Sequence, residues 1–283
     1  MSILSEQISK ISILRTDAID GIECKSAFFM NKKFPVHFHN NWSISIIQEG
    51  SEFEKIINHE FLINTNTIIF TPPFVPHATL GLENSYWRYS SVYVNIDFVK
   101  YICKNQQADY TFFAEKPYLI LKDKHSEFLM KSIISDLEYG FDIELQISNL
   151  FSNLITEYQS NVQFRYGTKI KIEYLEDIKN MITDNFNVKI SLDDLCRKHR
   201  TNKFNILRQF KKYTGLTPWE YSISLRLEYA KKMIFDCPSI TDLAFETGFY
   251  DLSHFNKYFK KYLGVSPSEY KQNLQYFTSQ SFQ

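Results

Sequence analysis

Two stretches near the C-terminal end of the chain share one pattern. The first, "HRTNKFNILRQFKKYTGLTPWEY", occupies 199–221, and the second, "GFYDLSHFNKYFKKYLGVSPSEY", occupies 248–270. Both contain F-K-K-Y-x-G-x-[ST]-P-x-E-Y. A repeat at a fixed offset is typical of one supersecondary unit that is built twice. This part of the chain must therefore fold in a way that accommodates two equivalent units.

The first copy is predicted to form a helix-turn-helix. Ser191 can cap the helix "LDDLCRKH", and Asp194 stands where a capping box would place its acidic residue. Asn202 can cap the second helix, "KFNILRQFKKY", and Gly215 supplies its stop. In that second helix, Ile206 and Phe210 face the core, because residues four apart lie on one side.

The second copy follows the same plan. Ser239 caps "ITDLAFET", Gly248 makes the turn, and Asp251 caps "LSHFNKYFKKY". Phe255 and Phe259 are expected on the core side of this last helix.

A helix between the copies sets their separation. In "TPWEYSISLRLEYAKKMIF", Thr217 caps the helix, Pro218 takes its first position and Glu220 completes a capping box. A helix of about 18 residues is roughly 27 Å long. Such a rod can hold two recognition helices about one turn of B-DNA apart, roughly 34 Å. Two neighbouring major-groove segments can then be read by one chain.

The charge distribution agrees with a nucleic-acid partner, although modestly. The whole chain is neutral, with 32 basic and 32 acidic residues. Residues 170–274 contain 17 basic and 13 acidic side chains, a net charge of +4, and the remainder carries −4. The two parts of the chain therefore differ in electrostatic character.

These motifs resemble the DNA-binding domain of the AraC/XylS family of bacterial transcription regulators. The similarity rests on "SLDDLC", "LRQFKKYTGLTPWEY", "LRLEYAKKM" and "ITDLAFETGFYDLSHFNKYFKKYLGVSPSEY". It implies that the outward sides of the two second helices contact DNA. Those positions are Lys203, Phe204, Leu207, Arg208 and Lys211 in the first motif, and Leu252, Ser253, Asn256, Lys257 and Lys260 in the second.

Three positions in this domain need comment. Arg200 stands where the family usually has the turn glycine, which costs about 1 kcal/mol if the position needs a positive φ. Leu207 offers a base only an apolar contact, so the first motif is expected to read sequence loosely. Arg226, where the family commonly has an arginine, is expected either to be structural or to face a phosphate.

The N-terminal part of the chain is predicted to form a small β-barrel. Short β-branched and aromatic segments run from 22 to about 121. His37, His39 and His77 fit three of the four metal positions of the cupin pattern, and Ser43 replaces its glutamate. Asn66 takes the place of a pattern glycine, which asparagine tolerates.

The barrel is predicted to hold a small-molecule effector. Because the resemblance implies a non-catalytic sensor, a metal-free site is favoured over a bound metal, and no cofactor is predicted. Four reduced cysteines are expected, since their spacing supports neither a zinc site nor a disulfide framework. The predicted effector-binding residues are His37, His39, Trp42, Ser43, His77, Trp87 and Arg88.

The expected fold is two-domain α+β. A cupin-like β-barrel or jelly roll with a helical pair at about 123–160 forms a sensing and dimerisation domain, 1–160. A linker at 161–169 leads to an all-α domain of two helix-turn-helix motifs, 170–274, and a tail, 275–283. The apolar stripe of the helical pair predicts a homodimer interface, although it could equally pack on its own barrel.

These features predict a sequence-specific transcriptional regulator, and an activator more than a repressor. Its expected partners are double-stranded DNA, an effector, RNA polymerase and a second copy of the chain. With no membrane span or signal peptide recognised, a cytoplasmic location is expected. Two alternatives remain: a three-histidine metal-dependent cupin enzyme with a DNA-tethering tail, and a DNA-binding protein that ignores small molecules.

Overall fold

A computed structural model describes residues 10–16, 22–56, 59–82, 85–111, 118–139, 141, 143–160 and 172–277. The predicted linker at 161–169 lies outside these residues. Strands dominate the first half of the described chain and helices the second, as the two patterns of periodicity predict.

Nine strands form one sheet system in the described residues. They are β1 (Lys10–Thr16), β2 (Ile22–Met30), β3 (Trp42–Ile56), β4 (His59–Asn64), β5 (Ile68–Thr71), β6 (His77–Leu80), β7 (Tyr86–Val94), β8 (Leu119–Leu121) and β9 (Leu274–Phe277). The order is β8-β5-β3-β7-β2-β1-β9, and β4 and β6 also pair with β3. Since β3 is 15 residues long, its first half pairs with β5 and its second half with β4 and β6.

Within the described residues, three helices belong to the sheet domain: α1 (Ile96–Asn105), α2 (Lys124–Glu138) and α3 (Glu144–Ser160). The helical pair α2–α3 packs its buried side chains against the sheet, in one cluster with Trp42 and Ile44. The apolar stripe therefore has its own barrel as a partner. On α3, Leu150 and Leu154 are buried in this contact, whereas Leu145 is 70% exposed.

Seven helices form the C-terminal domain: α4 (Glu173–Asp184), α5 (Leu192–His199), α6 (Lys203–Thr214), α7 (Pro218–Met233), α8 (Ile240–Glu246), α9 (Leu252–Leu263) and α10 (Pro267–Gln272). The two predicted helix-turn-helix units are α5–α6 and α8–α9. The connecting helix α7 has 16 residues, or roughly 24 Å. It contributes Tyr221 to the core of the first unit and Leu227 to that of the second.

The two domains pack closely on each other. The buried cluster of the second unit, which includes Phe255 and Phe259, continues into the barrel through Phe29 and Phe34. The first unit shares a smaller cluster with Phe38 of the barrel. Strand β9, at the C-terminal end of the helical domain, pairs in parallel with β1. The first residues of the predicted tail therefore form a strand of the sheet.

Two glycines permit this close approach of the domains. They follow α6 and α9, which are the second helices of the two units and their recognition helices. Gly215 and Gly264 have φ of 83° and 91°, the left-handed conformation predicted for helix stops. A Cβ atom at Gly215 would lie 2.4 Å from Cγ of Pro76, and one at Gly264 would lie 2.7 Å from Cζ of Phe29. The repeated glycine therefore both ends each recognition helix and admits a barrel side chain.

None of the helices in the described ranges has the length and apolar character required to cross a membrane.

Candidate effector cavity and DNA-binding surface

The two recognition helices begin as their sequences predict. The side chains of Asn202 and Asp251 accept hydrogen bonds from the backbone N–H groups of Asn205 and His254. Ser191 also caps its helix by accepting from the Asp193 N–H. The capping box predicted there has no counterpart in the structure, because Asp194 pairs with Arg197.

The predicted DNA-contacting side chains lie on the accessible sides of α6 and α9. Lys203, Phe204, Arg208 and Lys211 are exposed on α6, and Leu207 is half-buried. On α9 the exposed residues are Ser253, Lys257 and Lys260, whereas Leu252 and Asn256 are half-buried.

Two contacts limit the freedom of basic side chains on α6. The Lys203 ammonium lies 2.7 Å from an Asp193 carboxylate oxygen, and the Arg208 guanidinium lies 5.6 Å from the centre of the Phe204 ring. Leu252 packs against the buried cluster of the second unit. Leu252 is therefore partly a core residue, unlike its exposed neighbours.

Arg226 has a structural position. Its guanidinium donates hydrogen bonds to the backbone carbonyls of Phe186, Val188 and Gly248, which joins α7 to loops around both units. Of the two roles predicted for this arginine, the structure supports the structural one. Arg200 has φ of 49°, so a non-glycine residue does adopt the left-handed conformation at this turn.

A cavity of about 70 Å³ lies inside the barrel, against the helical domain. Its walls come mainly from β2, β3, β5, β6 and β7, and Tyr262 and Leu263 at the end of α9 complete them. One water-sized probe needs about 10–15 Å³, so a space of this size suits a small molecule or a few waters. The cavity therefore touches both domains.

Four of the seven predicted effector residues line this cavity: His37, His39, Ser43 and His77. The other three lie elsewhere. Trp42 stacks on Phe70 in the core between sheet and helices. Trp87 is fully buried in the cluster shared with the helical domain. Arg88 is exposed and lies 3.4 Å from Glu49.

The three histidine rings face one another. Their centroids lie 4.5 to 5.1 Å apart. One nitrogen from each ring lies within 4.8 Å of the others. Burial lowers the pKa of His37 well below its usual value and that of His77 to about 3, and it also lowers the pKa of His39. All three rings are therefore neutral at neutral pH.

The sequence did not identify several charged residues of the cavity. Burial raises the pKa of Glu52 to about 8 and that of Glu54 further above its usual value, so both carboxyls are largely protonated at pH 7. Burial and then repulsion from Lys231 lower the pKa of Lys25 to about 7. Alternation along β2 and β3 predicts inward-facing positions, but no pattern predicts that these would be charged.

Hydrogen bonds connect the cavity to the helical domain. His39 Nδ1 lies 3.0 Å from a Glu228 carboxylate oxygen, and the Asn40 N–H donates to the other oxygen at 3.2 Å. Lys25 donates to the Leu263 carbonyl at 3.2 Å, and the Tyr270 hydroxyl donates to Glu23 at 2.7 Å.

Glu228 is ionised in this buried interface. Burial opposes its ionisation, but attraction to Lys231 and hydrogen bonds from His39 and the Asn40 N–H lower its pKa to about 2. Burial likewise opposes protonation of Lys231, yet Glu228 and Glu23 raise its pKa. Glu228 and Lys231 both lie on α7, so the connecting helix contributes a buried ion pair to the interface with the barrel.

Two family models match this chain. One describes an AraC-like ligand-binding domain and matches 21–156, and the other describes a helix-turn-helix domain and matches 195–273. The chain belongs to the AraC family of transcriptional regulators. It is therefore a DNA-binding regulator with an N-terminal ligand-binding domain.

Relatives that match this AraC-family chain over most of their length are transcriptional regulators. It is 26% identical over 231 residues to the uncharacterised regulator YbfI of Bacillus subtilis, covering 79% of this chain and 82% of YbfI. It is 23% identical over 231 residues to the transcriptional activator RhaS of Klebsiella pneumoniae, with the same coverage.

Two solved structures of another protein share the two-domain fold. ToxT from Vibrio cholerae superposes with a TM-score of 0.59 at 18% identity, covering 89% of this chain and 99% of ToxT. A second ToxT structure, bound to an unsaturated fatty acid, gives a TM-score of 0.57 at 17% identity, covering 94% and 96%.

Proposed function

We propose that this AraC-family regulator is an activator whose DNA-binding domain is controlled by a small polar effector in the barrel cavity. The observation that carries this proposal is the shared wall of the cavity. Because Tyr262 and Leu263 end the second recognition helix, a molecule in the cavity contacts the DNA-binding domain directly. An effector can then change how the two domains pack on each other through direct contact with both.

The lining favours a small polar effector. Side chains with hydroxyl, imidazole, carboxyl or amino groups outnumber aliphatic ones among the lining residues. The unsaturated fatty acid in the ToxT structure has a long apolar chain, which such a lining accommodates poorly. Hydroxyl-rich or carboxylate-containing metabolites suit it better, with Lys25 as the cationic partner.

A thermal-shift screen of polar metabolites on the full chain tests this proposal. A true effector raises the unfolding temperature, since it binds the native state. The Ser43→Val variant should reduce that shift, because Ser43 lines the cavity. The control is Ser135→Val, since Ser135 is exposed on α2. If no metabolite shifts the unfolding temperature while DNA footprints stay intact, the protein ignores small molecules.

Regulation at a promoter also needs contact with the transcription machinery. We assign that role to RNA polymerase bound beside the regulator, as the activator RhaS among the relatives suggests. In vitro transcription from the chain's own upstream region, with and without effector, tests this assignment. Increased transcript supports activation, and a decrease identifies a repressor.

A homodimer is the proposed oligomeric state. With the inner sides of α2 and α3 buried on the sheet, the available apolar surface is the outer one: Phe128, Tyr139, Phe141 and Leu145, which are 58 to 71% exposed. Phe128 and Tyr139 are eleven residues, or about three turns, apart on one side of the helix. Sedimentation equilibrium of Phe128→Asp should show weakened association relative to the control Ser268→Asp, an exposed change on α10.

A further inference from the structure

The three histidines of the cavity share a hydrogen-bonding pattern that neither the effector proposal nor the DNA-binding role explains. The Nδ1 atoms of His37 and His77 lie 2.8 and 3.0 Å from the carbonyl oxygens of Pro35 and Val75. His39 Nδ1 lies 3.0 Å from the Glu228 carboxylate. Each ring therefore has its Nδ1 beside a group that can only accept a hydrogen bond.

This pattern fixes the tautomer of each ring. A carbonyl or an ionised carboxylate has no proton to give, so every Nδ1 must carry the hydrogen. In a neutral imidazole, Nε2 then keeps its lone pair. No hydrogen bond to any of these three Nε2 atoms is made by the described residues. Three Nε2 lone pairs are thereby available on buried or half-buried rings that border a cavity.

Such an arrangement matches that of metal-binding imidazoles, which usually donate their second ring N–H to a carbonyl or a carboxylate. Around a tetrahedral zinc ion with Zn–N bonds of about 2.1 Å, ligand nitrogens are roughly 3.4 Å apart. The three rings already bring one nitrogen each within 4.8 Å of the others, so metal binding would have to draw these nitrogens closer together.

We propose that His37, His39 and His77 form a site for a divalent transition-metal ion, with Glu228 of the DNA-binding domain as a positioning residue. Three imidazoles suit Zn²⁺ and its neighbours Co²⁺, Ni²⁺ and Fe²⁺. Ser43 stands in place of a carboxylate ligand, so the three histidines would be the protein ligands and a molecule in the cavity would supply any further one.

The site is connected to the DNA-binding domain through Glu228. Glu228 lies on α7, between the two helix-turn-helix units, and its carboxylate orients His39 and accepts from the Asn40 N–H. A metal that prefers this orientation of His39 stabilises the docked arrangement of the domains, and docking raises metal affinity by the same factor. This coupling to transcription rests on the proposed function, whereas the metal site itself does not.

Metal titration of the full chain, after removal of metal by a chelator, tests the site. We expect one equivalent of Zn²⁺ to bind in competition with a chromophoric chelator, and Co²⁺ to give the intense visible absorption of a tetrahedral site. His77→Gln should weaken Zn²⁺ binding at least 100-fold. His125→Gln is the matched control, because His125 is exposed at the start of α2, and it should leave the affinity unchanged.

Unfolding temperatures show whether His77→Gln is folded. If that variant unfolds, the wild-type chain still decides the question through its stoichiometry and its Co²⁺ spectrum. The proposal is overturned if the wild-type chain binds no stoichiometric metal. It is also overturned if His77→Gln binds the metal as tightly as wild type. Either result would leave effector control and DNA binding untouched, because thermal shifts and footprints measure those separately.

The positioning role has its own test. Glu228→Gln keeps the shape of the side chain but removes its charge, and loss of a carboxylate that orients a metal-binding histidine usually costs 10- to 100-fold in metal affinity. Glu246→Gln, an exposed change on α8, is the control. Zn²⁺ should also alter the affinity of wild-type protein for its DNA site but not that of Glu228→Gln. Unchanged Zn²⁺ affinity in Glu228→Gln would remove Glu228 from the site.

Discussion

At the scale of single residues, Arg208 differs from its basic neighbours on α6. It is exposed, and its guanidinium lies near the Phe204 ring, which itself is 72% exposed. Arginine donates two parallel hydrogen bonds to guanine, whereas a lysine beside the backbone mainly neutralises phosphate. The two side chains should therefore contribute differently to DNA binding.

We expect Arg208→Ala to cost about 1–3 kcal/mol and to relax base preference at one position of the site. Lys211→Ala should weaken all sites alike and reduce the salt slope by about 1. Binding isotherms on a panel of single-base variants at several salt concentrations distinguish the two. If both variants only reduce the salt slope, Arg208 contacts phosphate.

The turn of the first unit has an unfavourable residue. Arg200 adopts φ of 49°, a region that glycine enters without the steric cost of a Cβ atom. Arg200→Gly should therefore stabilise the fold by up to about 1 kcal/mol. Arg197→Gly, in the preceding helix, should destabilise it by about 1 kcal/mol. Chemical denaturation compares them, and destabilisation by both would show that Arg200 makes a compensating contact.

Lys25 makes stability depend on pH. Burial and repulsion from Lys231 lower its pKa from 10.5 to about 7 in the folded protein, so between these values unfolding takes up a proton. Stability contributed by this group should therefore rise as pH increases from 7 towards 10.5, by at most about 1.4 kcal/mol per pH unit.

The Lys25→Met variant isolates this effect, because methionine fills similar space without a charge. The unfolding free energy of wild type minus that of Lys25→Met should increase from pH 7 to pH 10. A flat difference would indicate that Lys25 is already protonated in the folded protein, paired with a group other than the Leu263 carbonyl.

At the scale of elements, strand β9 joins the end of the helical domain to the barrel. Its residues pair with β1 in register from Ile13↔Leu274 to Thr16↔Phe277. Removing 274–283 should loosen the docked arrangement, because the edge of the sheet loses its partner. Removing 278–283 alone is the control, since it leaves β9 intact.

Calorimetry checks this prediction. The longer truncation should separate one cooperative unfolding transition into two or lower the unfolding temperature, while the shorter one should match the full chain. Identical profiles for both truncations would mean that docking depends on the buried clusters alone.

At the scale of the whole molecule, an ion pair at the domain interface couples stability to docking. Glu228 is 6% exposed and Lys231 is 7% exposed, so removing one partner leaves a charge buried with fewer partners. Losing one member of a buried pair typically costs about 3–5 kcal/mol, whereas replacing both by apolar residues is often nearly neutral.

Glu228→Met is therefore expected to destabilise the docked protein more than Glu228→Met/Lys231→Met does. Denaturant unfolding monitored by tryptophan fluorescence provides the comparison. Equal or greater destabilisation in the double variant would show that Lys231 is held mainly by Glu23, whose carboxylate lies 3.7 Å away.

Much of the architecture was predictable because it depends on local patterns. The caps Asn202, Ser239 and Asp251, and the left-handed glycines Gly215 and Gly264, act within a few residues of themselves, so sequence spacing alone defines them. The family, and with it the regulatory function, follows from the same repeated segments. The clustering of His37, His39 and His77 was likewise predicted from their places in the barrel pattern.

Only the tertiary structure decided which surfaces meet. The inner side of α2–α3 covers its own sheet, and Trp42 and Trp87 fill cores instead of lining the cavity, because alternation predicts a face but not what packs on it. The Glu228 contact with His39 joins residues 189 positions apart. No local rule reaches that far, since such contacts depend on how two separately predictable domains pack against each other.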